Sequence, residues 1–256
     1  MSHRDLIHQQ FSLQAVPFSE APSMSDADAI DLLIRASSAQ AHHCSLDVAC
    51  GPGMVALRFA KVVRWAVGLD TTQAMLDRAK ALHQQQSCNN VEWVLAEAAS
   101  LPFPDASFDI VTCRFAFHHM LHPLAALQEM IRVARPGGAI AVCDAVSSPE
   151  TAKGNAFNAF ERMRDPSTVR FLTMQELRGL FREAGVNVVC ERSYRVPAEL
   201  EGLLRTSFPR PENVATLRKI MIASADDDRL GLATKAHGER ILFSYPALIL
   251  SARREL

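Results

Sequence analysis

The chain has 256 residues, enough for one large α/β domain or two small ones with a sizeable core. Its 27 Lys and Arg residues nearly balance its 28 Asp and Glu residues, so the net charge of -1 gives no field of one sign to hold a nucleic-acid backbone. No uninterrupted run of about 18 apolar residues occurs, which excludes a conventional membrane-spanning helix. We therefore expect a small-molecule partner rather than a nucleic acid or a membrane.

The six cysteines are widely spaced and include no C-x-x-C pair, and three of them lie in apolar, strand-like runs. This pattern is typical of reduced core residues in a cytosolic protein. The N-terminal residues are polar and lack the apolar stretch of a signal peptide. We expect a cytoplasmic protein that is a monomer or a homodimer.

The first segment, residues 9–24, mixes Phe11 and Phe18 with two prolines, which makes it too broken for a long helix and too apolar for a free tail. We expect it to fold over another part of the molecule. Residues 27–39 have apolar residues at helical spacing and acidic residues at the start, so they predict a helix that packs against a sheet.

From residue 45 onward, apolar runs alternate with amphipathic segments, a pattern that predicts a parallel sheet covered by helices on both faces. The predicted strands are 45–50, 65–69, 91–96, 108–114, 138–144, 186–192 and 241–252. The predicted helices are 53–62, 72–86, 123–134, 151–163, 173–184, 198–207 and 211–224. The helices after residue 150 are interposed between strands, so we expect them to form a lid.

The segment Ser45-Leu-Asp-Val-Ala-Cys-Gly-Pro-Gly-Met-Val-Ala56 combines a predicted buried strand, a glycine turn and a helix start. Gly51 and Gly53 have no Cβ, so the backbone of this turn can lie close to a ligand. The next predicted strand ends at Asp70, where a carboxylate can accept two hydrogen bonds from ribose hydroxyls while capping the following helix. The sequence therefore predicts a site for a nucleotide-containing cofactor.

The identity of that cofactor is not decided by the glycines alone, because Gly51-x-Gly53-x-x-Ala56 followed by Asp70 also fits the dinucleotide fingerprint of NAD-binding proteins. Asp47, just ahead of the turn, would repel a pyrophosphate but suits the ammonium or sulfonium end of S-adenosylmethionine. Charge complementarity favours S-adenosylmethionine, and an NAD-dependent oxidoreductase stays as the weaker alternative.

Four motifs follow one another along the chain: Leu46-Asp-Val-Ala-Cys-Gly-Pro-Gly53, Gly68-Leu-Asp70, Ala96-Glu97-Ala98 and Leu101-Pro-Phe-Pro-Asp-Ala-Ser-Phe-Asp-Ile-Val111. With them the chain resembles the class I S-adenosylmethionine-dependent methyltransferases, and among these the ubiquinone and menaquinone biosynthesis C-methyltransferases, over roughly residues 45–145. The resemblance implies that the first motif wraps the methionine part of the cofactor, the second holds the ribose and the third lies beside the adenine.

The expected fold is α/β: a Rossmann-like, doubly wound, mainly parallel seven-stranded sheet with the last strand antiparallel, plus helical lid insertions. We expect one methyltransferase domain over residues 1–256. Residues 1–44 would form an N-terminal helical cap, residues 45–145 the cofactor-binding core, and residues 146–256 the lid helices and C-terminal strands.

The donor is expected to be S-adenosyl-L-methionine, with S-adenosyl-L-homocysteine as the product and no metal. Met75 either covers the adenine or is a core methionine, and Glu97 either lies beside the adenine or is an ordinary exposed acid. The expected cofactor-binding residues are Asp47, Ala49, Gly51, Gly53, Asp70, Thr71, Met75, Glu97, Ala98, Arg114 and Phe115.

The segment Arg114-Phe-Ala-Phe-His-His-Met120 follows the fourth predicted strand, at the sheet edge where open α/β proteins place ligands. His118 and His119 are the catalytic candidates, since either can remove a proton from an acceptor, although simple packing or solvation of these rings fits the sequence as well. His122 lies one helical turn from His118, but no acidic ligand joins them, so we assign no metal site.

The acceptor site is expected to lie under the lid. Phe157 belongs to a set of apolar residues at helical spacing, which fits a packing face as well as a pocket wall. The candidate substrate-binding residues are Phe11, Phe18, His119, Phe157, Arg164 and Tyr194. We expect methyl transfer to an N, O or C atom of a cyclic or aromatic small molecule; the alternative is a fold of this type that binds the cofactor but catalyses another reaction.

Overall fold

A computed structural model describes residues 2–86 and 88–255. Its strands are β1 (Cys44–Val48), β2 (Trp65–Asp70), β3 (Val91–Leu95), β4 (Phe108–Arg114), β5 (Ala134–Ala145), β6 (Val188–Glu199), β7 (Lys235–His237) and β8 (Arg240–Arg253). They form one sheet in the order β3-β2-β1-β4-β5-β8-β6, and β7 pairs with β8. Strands β1 to β5 pair in parallel, whereas β8 is antiparallel to β5, β6 and β7.

The predicted sheet is confirmed, with the last strand running against its neighbours. Strand β5 begins at Ala134, four residues earlier than predicted. Two further details differ from the expectation. The short β7 is additional, because its three residues form a hairpin with β8 across Gly238, which has a φ of 60°. Strand β6 continues to Glu199 instead of ending at residue 192, because the long β8 offers it partners as far as Leu242.

The helices are α1 (His3–Glu20), α2 (Pro22–Ser25), α3 (Ala27–Ser37), α4 (Met54–Phe59), α5 (Gln73–Gln84), α6 (Pro123–Val133), α7 (Thr151–Arg164), α8 (Met174–Glu183), α9 (Leu200–Ser207) and α10 (Pro211–Asp227). Helices α3 and α4 cover one face of the sheet, and α6 and α8 cover the other. Because both faces are covered, neighbouring strand residues such as Ile110 and Val111 are both fully buried.

A separate apolar cluster joins α7, α9 and α10 to the extended end of β8. Phe157 and Phe160 from α7, Leu217 from α10 and Phe243 from β8 are all buried in it. This cluster holds the helices that follow β5 above the carboxyl edge of the sheet. None of the helices within the described ranges is both long and apolar enough to cross a membrane.

The expectation that residues 9–24 are too broken for a long helix is wrong. Helix α1 runs unbroken through Pro17 to Glu20. A proline inside a helix costs about 3 kcal/mol, but here a Ser2–Asp5 capping box stabilises the first turn and the helix packs against α5 and α9. The capping-box residues were the sequence signal for this helix.

Candidate active site at the carboxyl edge of the sheet

The parallel strands β1, β2 and β4 end at one edge of the sheet, where a cavity of about 310 Å³ lies. The cavity is lined by residues from the turn after β1, the end of β2, the loop after β3 and the segment after β4. All but one of the expected cofactor-binding residues line it: Asp47, Ala49, Gly51, Asp70, Thr71, Met75, Glu97, Ala98, Arg114 and Phe115.

The turn after β1 takes its shape from left-handed backbone and from Asp70. Ala49 and Gly51 have φ angles of 55° and 52°. The Asp70 carboxylate accepts hydrogen bonds from the Gly51 and Thr72 backbone N–H groups, both at 2.8 Å. Burial raises the pKa of Asp70 from its ordinary value. Since a carboxylate has about four acceptor positions, capacity remains for hydroxyl groups of a ligand.

Gly53 is the expected cofactor-binding residue that does not line this cavity. A Cβ there would lie 2.3 and 2.7 Å from ring carbons of Trp93, and a Cβ on Gly68 would lie 2.4 and 2.6 Å from the same ring. These glycines therefore make room for an indole packed behind the turn. The structure shows close packing of Gly53 against Trp93, and the expected close approach of its backbone to a ligand stays a prediction.

Asp47 is a buried carboxylate, and one of its two oxygens has no hydrogen-bond partner among the described residues. Its side chain is 3% exposed, and Oδ1 accepts a hydrogen bond from the Thr112 hydroxyl at 3.0 Å. Oδ2 is buried and has no hydrogen-bond partner among the described residues. Burial raises the pKa of Asp47 to about 7. A ligand that brings a positively charged N–H donor to Oδ2 would supply the missing hydrogen-bond partner.

The two adjacent histidines lie in a 3-10 turn, Phe117–His119, directly after β4. His118 Nδ1 is 2.7 Å from Oδ1 of Asp144, at the end of the neighbouring β5, and its ring stacks on Phe171 with centroids 4.0 Å apart. His119 Nδ1 is 3.1 Å from the hydroxyl of Ser167. Each histidine therefore has Nδ1 bonded to the protein, which leaves Nε2 for other partners.

His119 is held without charge. Burial lowers its pKa well below the ordinary value, and the nearby His118 acts in the same direction. The Ser167 hydroxyl donates to Oδ1 of Asp165 at 2.5 Å, so its oxygen accepts from Nδ1–H of His119. Among the described residues, no group of three or more His, Cys, Asp and Glu side chains is arranged to hold a metal ion.

A second cavity, of about 880 Å³, adjoins the first. The two share four lining residues, Phe11, Phe18, Phe115 and His119. The wall of the second cavity includes a buried ion pair in which Arg164 donates to Glu161 Oε2 at 2.6 Å, while the Tyr245 hydroxyl donates to Oε1 at 2.9 Å. Of the expected substrate-binding residues, Phe11, Phe18, His119 and Arg164 line this cavity.

Phe157 and Tyr194, also expected at the substrate site, line neither cavity. Phe157 packs between Phe171 and Tyr245, with centroids 4.9 and 6.0 Å away. The Tyr194 hydroxyl lies 3.3 Å from Cys143 Sγ, on the sheet face covered by α3. The helical spacing of the α7 aromatics indicated the packing role, whereas the place of Tyr194 depends on its pairing with β8.

Helix α1 lies across the first cavity and is bonded to its rim. Arg4 forms an ion pair with Glu97 at 2.9 Å, and His8 Nε2 is 3.3 Å from the Thr71 hydroxyl. His3 Nε2 donates to the His119 carbonyl oxygen at 2.7 Å. Sequence reasoning missed these α1 residues because their partners are distant in sequence. Their contacts make α1 a cover for the cavity.

Comparison with known proteins agrees with this geometry. Residues 46–142 match the family described as Methyltransferase domain. Over 242 residues the chain is 27% identical to the uncharacterized methyltransferase YcgJ of Bacillus subtilis, covering 94% of this chain and 96% of that protein. It is 33% identical over 173 residues to the demethylmenaquinone methyltransferase of Staphylococcus epidermidis, covering 59% of this chain and 70% of the relative.

Solved structures extend the similarity to the whole fold. The crystal structure of YcgJ matches with a TM-score of 0.82 and 25% identity, covering 90% of this chain and 99% of that one. The crystal structure of the cyclase SpnF matches with a TM-score of 0.68 and 19% identity, covering 90% of this chain and 82% of SpnF. The second likeness is one of fold.

Proposed function

The chain belongs to the class I S-adenosylmethionine-dependent methyltransferases, and on that premise we propose that it methylates an N, O or C atom of a cyclic or aromatic small molecule held in the second cavity. The observation that carries the proposal is the unpartnered, buried Oδ2 of Asp47 in the first cavity. Burying a carboxylate oxygen without a hydrogen-bond donor costs free energy, and a cationic ligand that donates to this oxygen would offset that cost.

S-adenosylmethionine, when bound, supplies a sulfonium methyl carbon that a nucleophile displaces in line. Asp47 would hold its ammonium group, and Asp70 would accept hydrogen bonds from its ribose hydroxyls. Thr71, Met75 and Ala98, which line the same cavity, would lie beside the adenosine. An NAD cofactor is less well supported, because its pyrophosphate would face the buried Asp47 carboxylate.

The second cavity would hold the acceptor. Its volume of about 880 Å³ is within the range of small-molecule sites, and it shares Phe11, Phe18, Phe115 and His119 with the donor cavity. Aligning a nucleophile with the methyl carbon and excluding water are the main tasks of the protein in such a displacement. The aromatic wall around Phe171 and Tyr245 favours a flat acceptor.

We also propose a division of labour along the chain. Residues 1–44 act as a helical cap, residues 45–145 bind the donor, and residues 146–256 supply lid helices and C-terminal strands. The contacts of α1 with Thr71, Glu97 and His119 support the cap assignment. The large share of second-cavity residues that come after β5 supports the lid assignment.

The proposal is tested by incubating the protein with S-adenosylmethionine carrying a deuterated methyl group and a panel of cyclic and aromatic alcohols, amines and activated carbon acids. Mass spectrometry is expected to find an acceptor that gains the labelled methyl group, together with S-adenosylhomocysteine. At subsaturating donor, Asp47→Asn should lower the yield of both products by about 100-fold or more. Asp109→Asn, at the end of β4 remote from the site, should not. Conversion of an acceptor without gain of the labelled methyl group would contradict methylation. It would indicate another reaction that uses the same donor site.

A further inference from the structure

His118 and Asp144 form a buried pair at the second cavity. Both side chains are less than a tenth exposed, and Nδ1 of His118 lies 2.7 Å from Oδ1 of Asp144. Oδ2 of Asp144 also accepts a hydrogen bond from the His118 backbone N–H at 3.0 Å. The carboxylate therefore holds the same residue at two points, and it fixes both the position and the rotation of the imidazole ring.

The hydrogen-bond partners of Asp144 assign the proton on the ring. Oδ1 accepts the Ala145 backbone N–H at 2.8 Å and Oδ2 accepts that of His118, so both oxygens already act as acceptors. Nδ1 of His118 then donates to Oδ1, and in a neutral imidazole Nε2 has the lone pair. This is the tautomer in which Nε2 can accept a proton from a substrate.

The neighbouring charges favour His118 over His119 as the base. A proton taken up by His118 forms an imidazolium directly bonded to a carboxylate, which stabilises it. A proton taken up by His119 would be buried 4.1 Å from the His118 ring, and only the Ser167 hydroxyl connects it to Asp165. His118 lines the second cavity, on the side where the acceptor would lie.

From this geometry we infer, resting on the proposed methyl transfer, that His118 is the general base and Asp144 its positioning residue, and that the acceptor is a weakly acidic O–H or N–H compound. The acceptor proton moves to Nε2 of His118 as the oxygen or nitrogen lone pair forms the bond to the methyl carbon. The sulfur–carbon bond breaks, and its electron pair stays on sulfur. The imidazolium proton is then released to solvent, so charge balances over the cycle.

The inference is tested first without turnover, on the complex with S-adenosylhomocysteine. Nitrogen-15 NMR of labelled imidazoles, with His118 assigned by comparison with His118→Gln, should find Nδ1 protonated and Nε2 unprotonated. Asp144→Asn should change the tautomer of His118, because an asparagine amide group can donate to Nδ1 whereas a carboxylate only accepts there. His119 is the titratable group whose ring contacts that of His118. The other charged and titratable residues that line the cavity are unchanged in that variant: Glu20, Glu161, Arg164, Asp165, Glu199, Arg205, Arg240 and Tyr245. A His118 tautomer that is the same in Asp144→Asn and in the wild-type protein would overturn the inference.

Turnover provides the second test. Asp144→Asn should lower kcat by about 100-fold to 10,000-fold with unchanged affinity for S-adenosylhomocysteine, and adding His118→Gln should cost little more. Asp109→Asn, which makes the same chemical change at a distant ion pair, should change neither kcat nor the His118 spectrum.

The acceptor panel separates this inference from the proposed function. The loss in Asp144→Asn should shrink for acceptors acidic enough to be ionised already, because these need no base. An equal loss for weakly and strongly acidic acceptors would make Asp144 structural, while methyl transfer itself would still stand. Absence of methyl transfer by the wild-type protein would instead contradict the proposed function.

Discussion

Replacing Asp47 by asparagine should weaken donor binding and stabilise the protein without ligand. The substitution keeps the size of the side chain and removes its charge. Burial raises the pKa of this carboxyl from 3.8 to about 7, so the folded protein binds the proton more tightly than the unfolded chain does. The folded state is therefore favoured at low pH, and this contribution is lost as the pH rises from about 4 to about 7.

The size of the change in the free energy of unfolding follows from the shift in the pKa of Asp47. Each pH unit within that window corresponds to about 1.4 kcal/mol, so the ionised carboxylate destabilises the unliganded protein by about 4 kcal/mol at pH 8 as an upper value. Asparagine does not ionise and avoids this cost. For a bound ammonium group, removing one partner of a buried ion pair costs about 3–5 kcal/mol, which corresponds to about 100-fold or more in affinity.

Two measurements check the prediction. Urea unfolding of the wild-type protein and Asp47→Asn between pH 5 and 8 should show the variant gaining stability relative to the wild type up to about pH 7. Calorimetric titration with S-adenosylhomocysteine should show at least 100-fold weaker binding by the variant. A variant that is less stable at every pH, or that binds the ligand as tightly as the wild type, would refute the assignment of Asp47.

Other substitutions probe the packing and the cover of the site. Gly68→Ala would place a Cβ 2.4 Å from Trp93 and should lower the free energy of unfolding, measured by chemical denaturation, by about 1–3 kcal/mol. The control Gly179→Ala, in the middle of α8, places a Cβ that meets nothing within 4 Å and should be neutral or stabilising. Equal effects of the two substitutions would contradict the packing of Gly68 against Trp93. Glu161→Gln should lower the free energy of unfolding by about 3–5 kcal/mol, because it removes the nearer carboxylate of a buried arginine and leaves only Asp165, at 3.9 Å. A change within about 0.5 kcal/mol would be inconsistent with that ion pair. Arg4→Ala removes an exposed ion pair and should change the free energy of unfolding by less than about 1 kcal/mol. If α1 covers the cavity, stopped-flow measurements should nevertheless show faster release of S-adenosylhomocysteine from this variant. An unchanged release rate would contradict that role of α1.

That the candidate donor-binding residues line one cavity was predictable because most of them are local in the chain. Asp47, the glycine turn and Asp70 lie within one strand–helix–strand unit, and the carboxyl ends of parallel strands meet at one edge of the sheet. Gly53 is the exception, because it does not line that cavity. It packs against Trp93, which comes from another strand, and no spacing within the motif indicates that contact.

The acceptor half was less predictable because its parts are far apart in the chain. Glu161 and Tyr245 are separated by 84 residues, and they meet only once α7 packs on β8. Asp144 had a usable signal, since it is a carboxylate at the end of an otherwise apolar predicted strand. Its partner His118 follows from the sheet register, in which the end of β4 lies beside the end of β5.

Pro17 misled the prediction for residues 9–24 for a different reason. Helix-breaking propensity is a local quantity, whereas the stability of α1 comes from contacts made with other elements. For example, Gln14 donates to the Ser207 carbonyl oxygen and to Asp165, and both partners come from the second half of the chain. Tertiary contacts of this kind cannot be read from the segment itself.

The donor site is tested most directly by isothermal titration of the wild-type protein and Asp70→Ala with S-adenosylhomocysteine. We predict saturable one-to-one binding to the wild type, competition by S-adenosylmethionine, and a large loss of affinity in the variant, because the Asp70 carboxylate both holds the turn and faces the cavity. No binding at millimolar ligand, or equal affinity in the two proteins, would contradict the assignment of this cavity to the methyl donor.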